Sequence, residues 1–234
     1  MGRRVLLIHP LRQDYWFSDT PHVGLAQLAA ILTEAGHEVR VIDYVLWGKH
    51  HPSTQDVVEI ANDFAPEVIG LSMYTAVQSK TFELIDALKH LAAPILVGGP
   101  HCSINYDRLR LDDRLDYIFK GEAEATIAEI VAGAERQDFP LVVETKPFEI
   151  DALPHPDFSR FIKNPEMTAY PLITSRGCQF QCNFCVVSHV TNKQWRPREV
   201  DLIIDECATD LRRWKKLQSR QRPATTIPQT LPRR

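Results

Sequence analysis

Three cysteines stand within eight positions of one short stretch, TSRGCQFQCNFCVV, which runs from residue 174 to residue 187. Cys178, Cys182 and Cys185 follow the spacing C-x3-C-x2-C, and an aromatic residue, Phe184, precedes the last of them. A structural zinc ion normally has four protein ligands, and a 4Fe-4S cluster normally takes four thiolates. Three thiolates leave one iron of such a cluster uncapped and able to bind a substrate or cofactor. The spacing therefore indicates a metal centre with an open coordination position.

A closed zinc site is the alternative interpretation of the same cysteines. His189 follows shortly after the last cysteine and could supply a fourth ligand, which would make a Cys3His site. The stretch meets only half of the usual zinc spacing, in which two cysteines and two histidines stand in separate pairs. A disulfide with one spare thiol is less favoured, because clustered cysteines of a cytoplasmic protein more often bind metals.

Short apolar runs alternate with amphipathic stretches in the first part of the chain. The apolar runs predict five buried strands, and the stretches between or after them predict helices. Continuous apolar strands joined in this way are typical of a parallel sheet that is covered on both faces. We therefore expect an α/β fold, a doubly wound, Rossmann-like, five-stranded parallel sheet over residues 1–137. The strands are RVLLI, EVRVID, EVIGLS, PILVGG and LDYIFKGE, and the helices are HVGLAQLAAILTEAGH, TQDVVEIANDFA, VQSKTFELIDALKHL and AEATIAEIVAGA.

Ligands of such sheets bind beyond the carboxyl ends of the strands, so these ends hold the candidate site residues. No G-x-G-x-x-G follows the first strand, which argues against a dinucleotide. The third strand ends in Ser72 and Thr75 rather than in the aspartate of a phosphoacceptor domain. Gly98 and Gly99 after the fourth strand either let a ligand approach the backbone or only form a tight turn. After the fifth strand, Gly121 provides a turn and Glu122 favours a helix start.

The rest of the chain has a different composition. Residues 138–167 are rich in proline and predict a linker with one hairpin at most. Residues 168–217 predict a strand that enters the cysteine loop, followed by a helix. Residues 218–234 form a basic, proline-containing tail that we expect to be disordered. The apolar face of the helix comprises Val200, Ile203, Cys207, Leu211 and Trp214.

The composition and charge of the chain argue against some classes of protein. The 234 residues carry a net charge of −3, with 44% hydrophobic and 24% charged residues. A near-neutral balance argues against a nucleic-acid-binding protein, which needs a basic face. No apolar run approaches the length of a membrane span or of a secretory signal. We therefore expect a cytoplasmic protein.

The motifs together resemble one family. SRGCQFQCNFC resembles the cluster loop of radical S-adenosylmethionine enzymes, and several upstream segments resemble the branch that carries a cobalamin-binding domain ahead of the radical domain. The resemblance covers roughly residues 3–217. The upstream segments are PHVGLAQLAAILTEAGHEVRVID, PEVIGLSMYT, LVGGPH, DYIFKGEAEATIAEI and DALPHPDF.

The resemblance implies three cofactors: a 4Fe-4S cluster, S-adenosylmethionine and cobalamin. Cys178, Cys182 and Cys185 would hold the cluster, with Phe184 at the S-adenosylmethionine site. Reductive cleavage would give a 5'-deoxyadenosyl radical for methylation or cyclisation of an unactivated small-molecule substrate, with a flavodoxin or ferredoxin as electron donor. Cobalamin would lie over the carboxyl ends of the first sheet. The residues implied for cobalamin are Ser72, Thr75, Gly98, Gly99, Pro100, His101, Gly121 and Glu122.

Two departures from the family pattern matter. The element D-x-H-x-x-G is missing after the first strand, where the chain has His9-Pro10-Leu11, so we expect no histidine ligand to cobalt. The segment after Leu217 lacks the further strands and helices of a radical barrel, and we expect a truncated chain that is too short to be active alone. Two functions stay open: a cobalamin-dependent radical enzyme and a cobalamin-binding module without working chemistry.

Overall fold

The computed structural model describes residues 2–11, 20–48, 50–163, 167, 169–180, 182–191 and 194–209. Strands and helices alternate along the first 144 residues. Their order is β1 (Arg4–His9), α1 (Val23–Glu34), β2 (Glu38–Asp43), α2 (Thr54–Phe64), β3 (Val68–Ser72), α3 (Gln78–Leu88), β4 (Ile95–Gly98), α4 (Pro100–Leu109), β5 (Tyr117–Lys120), α5 (Ile127–Gly133) and β6 (Leu141–Glu144).

The strands form one parallel sheet in the order β2-β1-β3-β4-β5-β6. The strand order reverses between β1 and β3, and this is the point at which open α/β sheets bind ligands, beyond the carboxyl ends. The predicted doubly wound, Rossmann-like α/β fold is confirmed.

The predicted number of five strands was wrong, because the sheet has six strands within the described residues. Leu141 to Glu144 pair with Tyr117 to Lys120 in parallel register. The Leu141 N–H donates to the Asp116 carbonyl at 2.8 Å, and the Asp116 carboxylate accepts a 2.6 Å bond from the Gln137 N–H. This edge strand is short and half-exposed, so it lacks the continuous apolar run by which a buried strand is found. The proline-rich surroundings suggested a linker instead.

Helices cover both faces of the sheet. α2, α3 and α4 pack on one face, around a core that includes Leu6, Ile69 and Leu84. α1 and α5 pack on the other face, with Leu7 and Phe119. The helix α4 was not predicted from the sequence, because its apolar residues do not keep to one face: Cys102 and Leu109 are buried, whereas Ile104 is 47% exposed. It begins at Pro100, directly after the glycine turn, where the fixed φ of proline suits a first helical position.

The cysteine-containing part forms a small unit against this sheet. β7 (Ser175–Gly177) pairs antiparallel with β8 (Trp195–Pro197), and the short helix α6 (Val186–Val190) lies between them in sequence. Residues 200–209 are helical. The predicted strand is thus confined to three residues, and the incomplete radical barrel stays a prediction. Leu211, Trp214 and the tail 218–234 lie outside the described residues.

Among the residues that the structure describes, no helix is long and apolar enough to cross a membrane.

Candidate functional site

A cavity of about 210 Å³ opens at the carboxyl edge of the sheet. Its floor is formed by β1, β3, β4 and β5, and its walls by α1 and by the segment that leads into α5. Most of its lining is apolar, with polar side chains at the rim. The lining residues are Leu7, His22, Gly24, Leu25, Leu28, Gly70, Leu71, Ser72, Tyr74, Leu96, Val97, Gly98, Gly99, Pro100, Phe119, Gly121, Glu122, Ala123, Glu124 and Ile127.

The glycines at this edge have two different roles. A Cβ added to Gly98 would meet only the Phe119 Cβ, at an ordinary 3.6 Å, so the backbone there does not require glycine. Gly99 and Gly121 have φ values of +107°, and a Cβ on Gly99 would lie 2.9 Å from the Met73 carbonyl oxygen. Gly99 and Gly121 are therefore required by their turns. Gly98 keeps the cavity floor open.

His22 forms the amino-terminal cap of α1 at the cavity rim. Its Nδ1 accepts a 3.1 Å hydrogen bond from the Leu25 N–H. Its Nε2 lies 3.3 Å from the Tyr74 hydroxyl and 3.4 Å from Ser72 Oγ. Burial lowers the pKa of His22 to about 4, so the ring is neutral near pH 7. Because Nδ1 is the acceptor, the proton of the neutral ring lies on Nε2. Nε2 is thus a hydrogen-bond donor and has no lone pair for a metal.

His9 and Asp43 surround His22 on its inner side. The rings of His9 and His22 lie 4.5 Å apart, and burial together with the nearby His22 lowers the pKa of His9 well below its ordinary value. The Asp43 carboxylate accepts hydrogen bonds from the His22 N–H at 2.6 Å and from the Val45 N–H at 3.2 Å. Burial nevertheless raises the pKa of Asp43 to about 7. The inner side of the rim therefore carries little charge below neutral pH.

Six of the eight residues expected to bind cobalamin line the cavity: Ser72, Gly98, Gly99, Pro100, Gly121 and Glu122. The other two, Thr75 and His101, lie outside the lining and pair with each other, since Thr75 Oγ1 is 2.9 Å from His101 Nδ1. Sequence reasoning missed His22, Tyr74, Gly70 and the apolar floor. His22 stands directly before the helical pattern of α1, which is the usual signal for a cap, but histidine is not among the preferred cap residues.

Two arginines from the β7–β8 pair reach the same rim. Arg176 donates to Glu124 Oε1 at 2.6 Å and to Gln27 Oε1 at 2.5 Å, and its other terminal nitrogen lies 3.3 Å from Glu122. Arg196 binds Glu122 and the Phe148 carbonyl. Burial by itself would raise the pKa of Glu122, but hydrogen bonds from Arg196 and from the Phe148 N–H hold it below its ordinary value. Glu122 is thus an ionised partner of two arginines.

The three loop cysteines are accessible. Cys178 and Cys185 are half-buried, Cys182 is exposed, and the Cys185 N–H donates to the Cys182 carbonyl at 3.0 Å. Phe184 is 93% exposed. Within the described part of the chain, no group of three or more histidine, cysteine, aspartate or glutamate side chains is arranged to hold a metal ion. The side chain of His189 lies outside the described residues.

The other two cysteines differ from the loop. Cys102 lies on the buried face of α4, and burial raises the pKa of its thiol to about 12. Cys207 lies in the helix at residues 200–209 and is half-buried. A thiol held protonated in an apolar core is a poor metal ligand, so Cys102 has a packing role.

One family model and several known proteins are similar to this chain. Residues 16–131 match the B12 binding domain. The cytidylyl-2-hydroxyethylphosphonate methyltransferase of Streptomyces wedmorensis is 26% identical over 87% of this chain and 51% of its own length. The bacteriochlorophyllide d C-8(2)-methyltransferase of Chlorobaculum tepidum is 25% identical over 78% of this chain and 39% of its own. The chain thus spans about half, or less, of the length of these relatives.

Solved structures agree on the fold. The cobalamin-dependent S-adenosylmethionine radical enzyme OxsB, with aqua-cobalamin and S-adenosylmethionine bound, superposes with a TM-score of 0.74 at 20% identity. The match covers 92% of this chain and 32% of OxsB. The six-stranded sheet and the cavity at its carboxyl edge agree with the B12 binding domain match over residues 16–131. Over most of its length, the chain is similar to cobalamin-dependent radical S-adenosylmethionine proteins.

Proposed function

We propose that this chain is the cobalamin-binding part of a cobalamin-dependent radical S-adenosylmethionine enzyme of the methyltransferase type. The observation that carries the proposal is the apolar cavity above Gly98, at the reversal of strand order in a B12 binding domain. The whole enzyme would transfer a methyl group to, or cyclise, an unactivated small molecule. Its relatives act on different molecules, as their names state.

The residues of the cavity fit part of a cobalamin. The apolar floor, formed by Leu7, Leu96 and Phe119, suits the flat base at the end of the nucleotide tail, and the glycine backbone at Gly70 and Gly98 leaves room for it. Ser72 and Tyr74 provide hydroxyl groups at the rim. Bound cobalamin would supply a cobalt centre that carries a methyl group. Because His22 presents a protonated Nε2, we expect His22 not to bind the cobalt.

The cysteine loop fits a cluster by its donor set rather than by a preformed cage. Cys178, Cys182 and Cys185 offer three accessible thiols on one loop, and the described side chains do not hold them in a ligating arrangement. Metal binding and folding of a loop are commonly coupled. We propose that these cysteines bind a 4Fe-4S cluster, that S-adenosylmethionine binds beside Phe184, and that a flavodoxin or ferredoxin provides the electron.

The site of action proposed for this protein is the cytoplasm. None of the five cysteines, all of which lie in described segments, forms a disulfide bond. Accessible thiols in that state are typical of a reducing compartment.

Filling the cavity tests the cobalamin proposal. Gly98→Leu should place a side chain in the cavity without backbone strain, because its Cβ would make an ordinary contact. Titration of the purified chain with hydroxocobalamin, followed by absorbance, should show binding by the wild type. We expect Gly98→Leu to weaken that binding by at least about tenfold, since it occupies ligand volume.

The matched control is Gly133→Ala, at a helical glycine whose added Cβ would meet nothing within 4 Å. This variant should bind as the wild type does. Equal affinity of Gly98→Leu and Gly133→Ala would contradict the placement of cobalamin in the cavity. A wild type that takes up no cobalamin would contradict the proposal as a whole.

Two alternative functions make different predictions. A cobalamin-binding module without working chemistry is the second candidate. It is favoured by the arrangement of the three loop cysteines, which the described structure does not bring together as metal ligands. It predicts cobalamin uptake without iron. A Cys3His zinc site is the third, and it predicts stoichiometric zinc in place of iron after anaerobic reconstitution.

A further inference from the structure

The strand pair β7–β8 is attached to the wall of the cavity by a compact group of charged side chains. Arg176 on β7 bridges Glu124, Gln27 and Glu122, at distances of 2.6, 2.5 and 3.3 Å. Arg196 on β8 binds Glu122 from the other side and donates to the Phe148 carbonyl at 2.6 Å. The contacts of Arg176 with Glu124 and Gln27 join positions that are 52 and 149 residues apart in sequence.

These groups are largely removed from solvent. The side chains of Glu124 and Arg176 are 7% and 14% exposed, and those of Arg196 and Glu122 are 19% and 20% exposed. Removing one partner of a buried, hydrogen-bonded ion pair leaves the other charge uncompensated and is strongly unfavourable. Arginine also contacts two acceptors at once through its planar fork, which lysine cannot reproduce. The contact is therefore specific in direction as well as in charge.

Arg176 and Arg196 lie between the cavity and the cysteine loop. Glu122 and Glu124 line the cavity, and Arg176 precedes Cys178 by two positions. The residue between them, Gly177, has a φ of +82°, and a Cβ there would lie 1.8 Å from the Gln194 carbonyl oxygen. Only glycine allows the close approach of the two strands, so the path from the arginine to the first cysteine is short and constrained.

We propose that Arg176 and Arg196 are positioning residues that hold the cysteine loop at the cavity rim, so that a ligand in the cavity and the placement of the loop are coupled through Glu122 and Glu124. A ligand that contacts the rim restrains the two glutamates, and the glutamates restrain the strand pair. The coupling rests on the proposed function, whereas the attachment of the strand pair does not.

Hydrogen–deuterium exchange of the full chain tests both parts, with hydroxocobalamin as the probe. Without cobalamin, Arg176→Met should raise amide exchange in peptides covering residues 175–197 by at least about tenfold, because local opening becomes easier. Peptides covering β1, β3 and β4 should be unchanged. Saturation of the wild type with hydroxocobalamin should slow exchange in residues 175–197, and Arg176→Met should abolish that additional protection. Arg176→Lys keeps the charge and loses the planar fork of the guanidinium group. Its exchange in residues 175–197 should lie between that of the wild type and that of Arg176→Met.

The control is Arg40→Met, which removes an exposed arginine paired with Asp63 on another side of the sheet. It should exchange as the wild type does over residues 175–197. Unchanged exchange of this segment in Arg176→Met would overturn the attachment. Cobalamin uptake by the wild type without any slowing in residues 175–197 would overturn the coupling. A wild type that binds no cobalamin fails the proposed function instead, and the ligand-free comparison still decides the attachment. If Arg176→Met does not fold, Arg196→Met decides the same questions.

Discussion

His9, His22 and Asp43 show how burial sets the charge of individual residues at the cavity rim. Both histidines are neutral near pH 7, because burial lowers their pKa values. Asp43 is protonated below about pH 7 for the same reason, although two backbone N–H groups favour its charged form. Desolvation disfavours the charged state of either type of group. The side of the rim formed by these three residues can therefore lie against an apolar or neutral ligand surface without a buried charge of its own.

Asp43 predicts a pH dependence of stability. Its pKa is raised from 3.8 to about 7 on folding, so between these values the folded state holds a proton that the unfolded state has released. The stabilising contribution of the protonated Asp43 to the free energy of unfolding is fully present below about pH 4. It falls as the pH rises to about 7 and is constant above that. Asp43→Asn lacks this titration. Urea unfolding should show the wild type losing stability relative to Asp43→Asn between pH 5 and about pH 7, by about 1.4 kcal/mol per pH unit.

Asp63→Asn, at an exposed carboxylate, is the control and should show no such change. The surrounding His9, His22 and Tyr74 remain in all three proteins, so their own titration cancels to first order. A difference between the wild type and Asp43→Asn that is equal at both pH values would show that Asp43 is ionised throughout.

The cysteine loop is held by the elements on either side of it. β7 leads into Cys178, and α6 begins directly after Cys185. The strand predicted before the cysteine loop, β7, pairs antiparallel with β8 on the other side of the loop. The helix at residues 200–209 is tied back through Arg198, which binds Glu206 at 2.5 Å and the Ile173 carbonyl at 3.0 Å. These contacts leave the loop thiols accessible.

Iron content tests the loop. After anaerobic reconstitution, the wild type should hold about four iron atoms per chain, as expected for a cubane cluster. Alanine at Cys178, Cys182 or Cys185 should remove most of the iron and the absorbance near 400 nm. Cys102→Ala and Cys207→Ala are the controls and should retain the iron. Zinc without iron in the wild type would sink the cluster assignment and favour a site that includes His189.

At the scale of the whole molecule, the segment predicted as a linker packs against the first domain. β6 extends the sheet to Glu144, and four apolar side chains beyond it are buried: Ile150, Leu153, Phe158 and Phe161. The Asp157 N–H donates to the Ala26 carbonyl, and the Ile162 N–H to the Val41 carbonyl, both at 2.9 Å. We propose a domain boundary after residue 163 rather than after residue 137.

Fragments with different ends test this boundary. A fragment of residues 1–137 loses β6, one of the two partners of β5, and uncovers the parts of α1 and β2 that contact residues 157–162. It should therefore unfold at lower urea concentration than a fragment of residues 1–163. The difference should be several kcal/mol, since each fully buried apolar side chain contributes about 1.5–3 kcal/mol. Circular dichroism during urea titration measures it, with the full chain as reference. Equal midpoints for the two fragments would restore the boundary at 137.

The alternation of apolar runs and amphipathic stretches by itself determined the parallel sheet, its first five strands and the edge at which the cavity opens. These features depend on local periodicity, which is written in consecutive residues. The cysteine spacing likewise belongs to one short stretch, and together with the upstream motifs it was enough to indicate the family.

Only the tertiary structure decided which residues meet at that edge. His22 lies beside Ser72 although 50 positions separate them, and Arg176 reaches Gln27 across 149 positions. The tertiary structure also showed that the three glycines have different roles. Gly98 leaves space in the cavity, whereas the turns at Gly99 and Gly121 require glycine. The edge strand β6 became visible only through its pairing with β5. Contacts between distant segments depend on how the elements pack, and local periodicity carries no information about that packing.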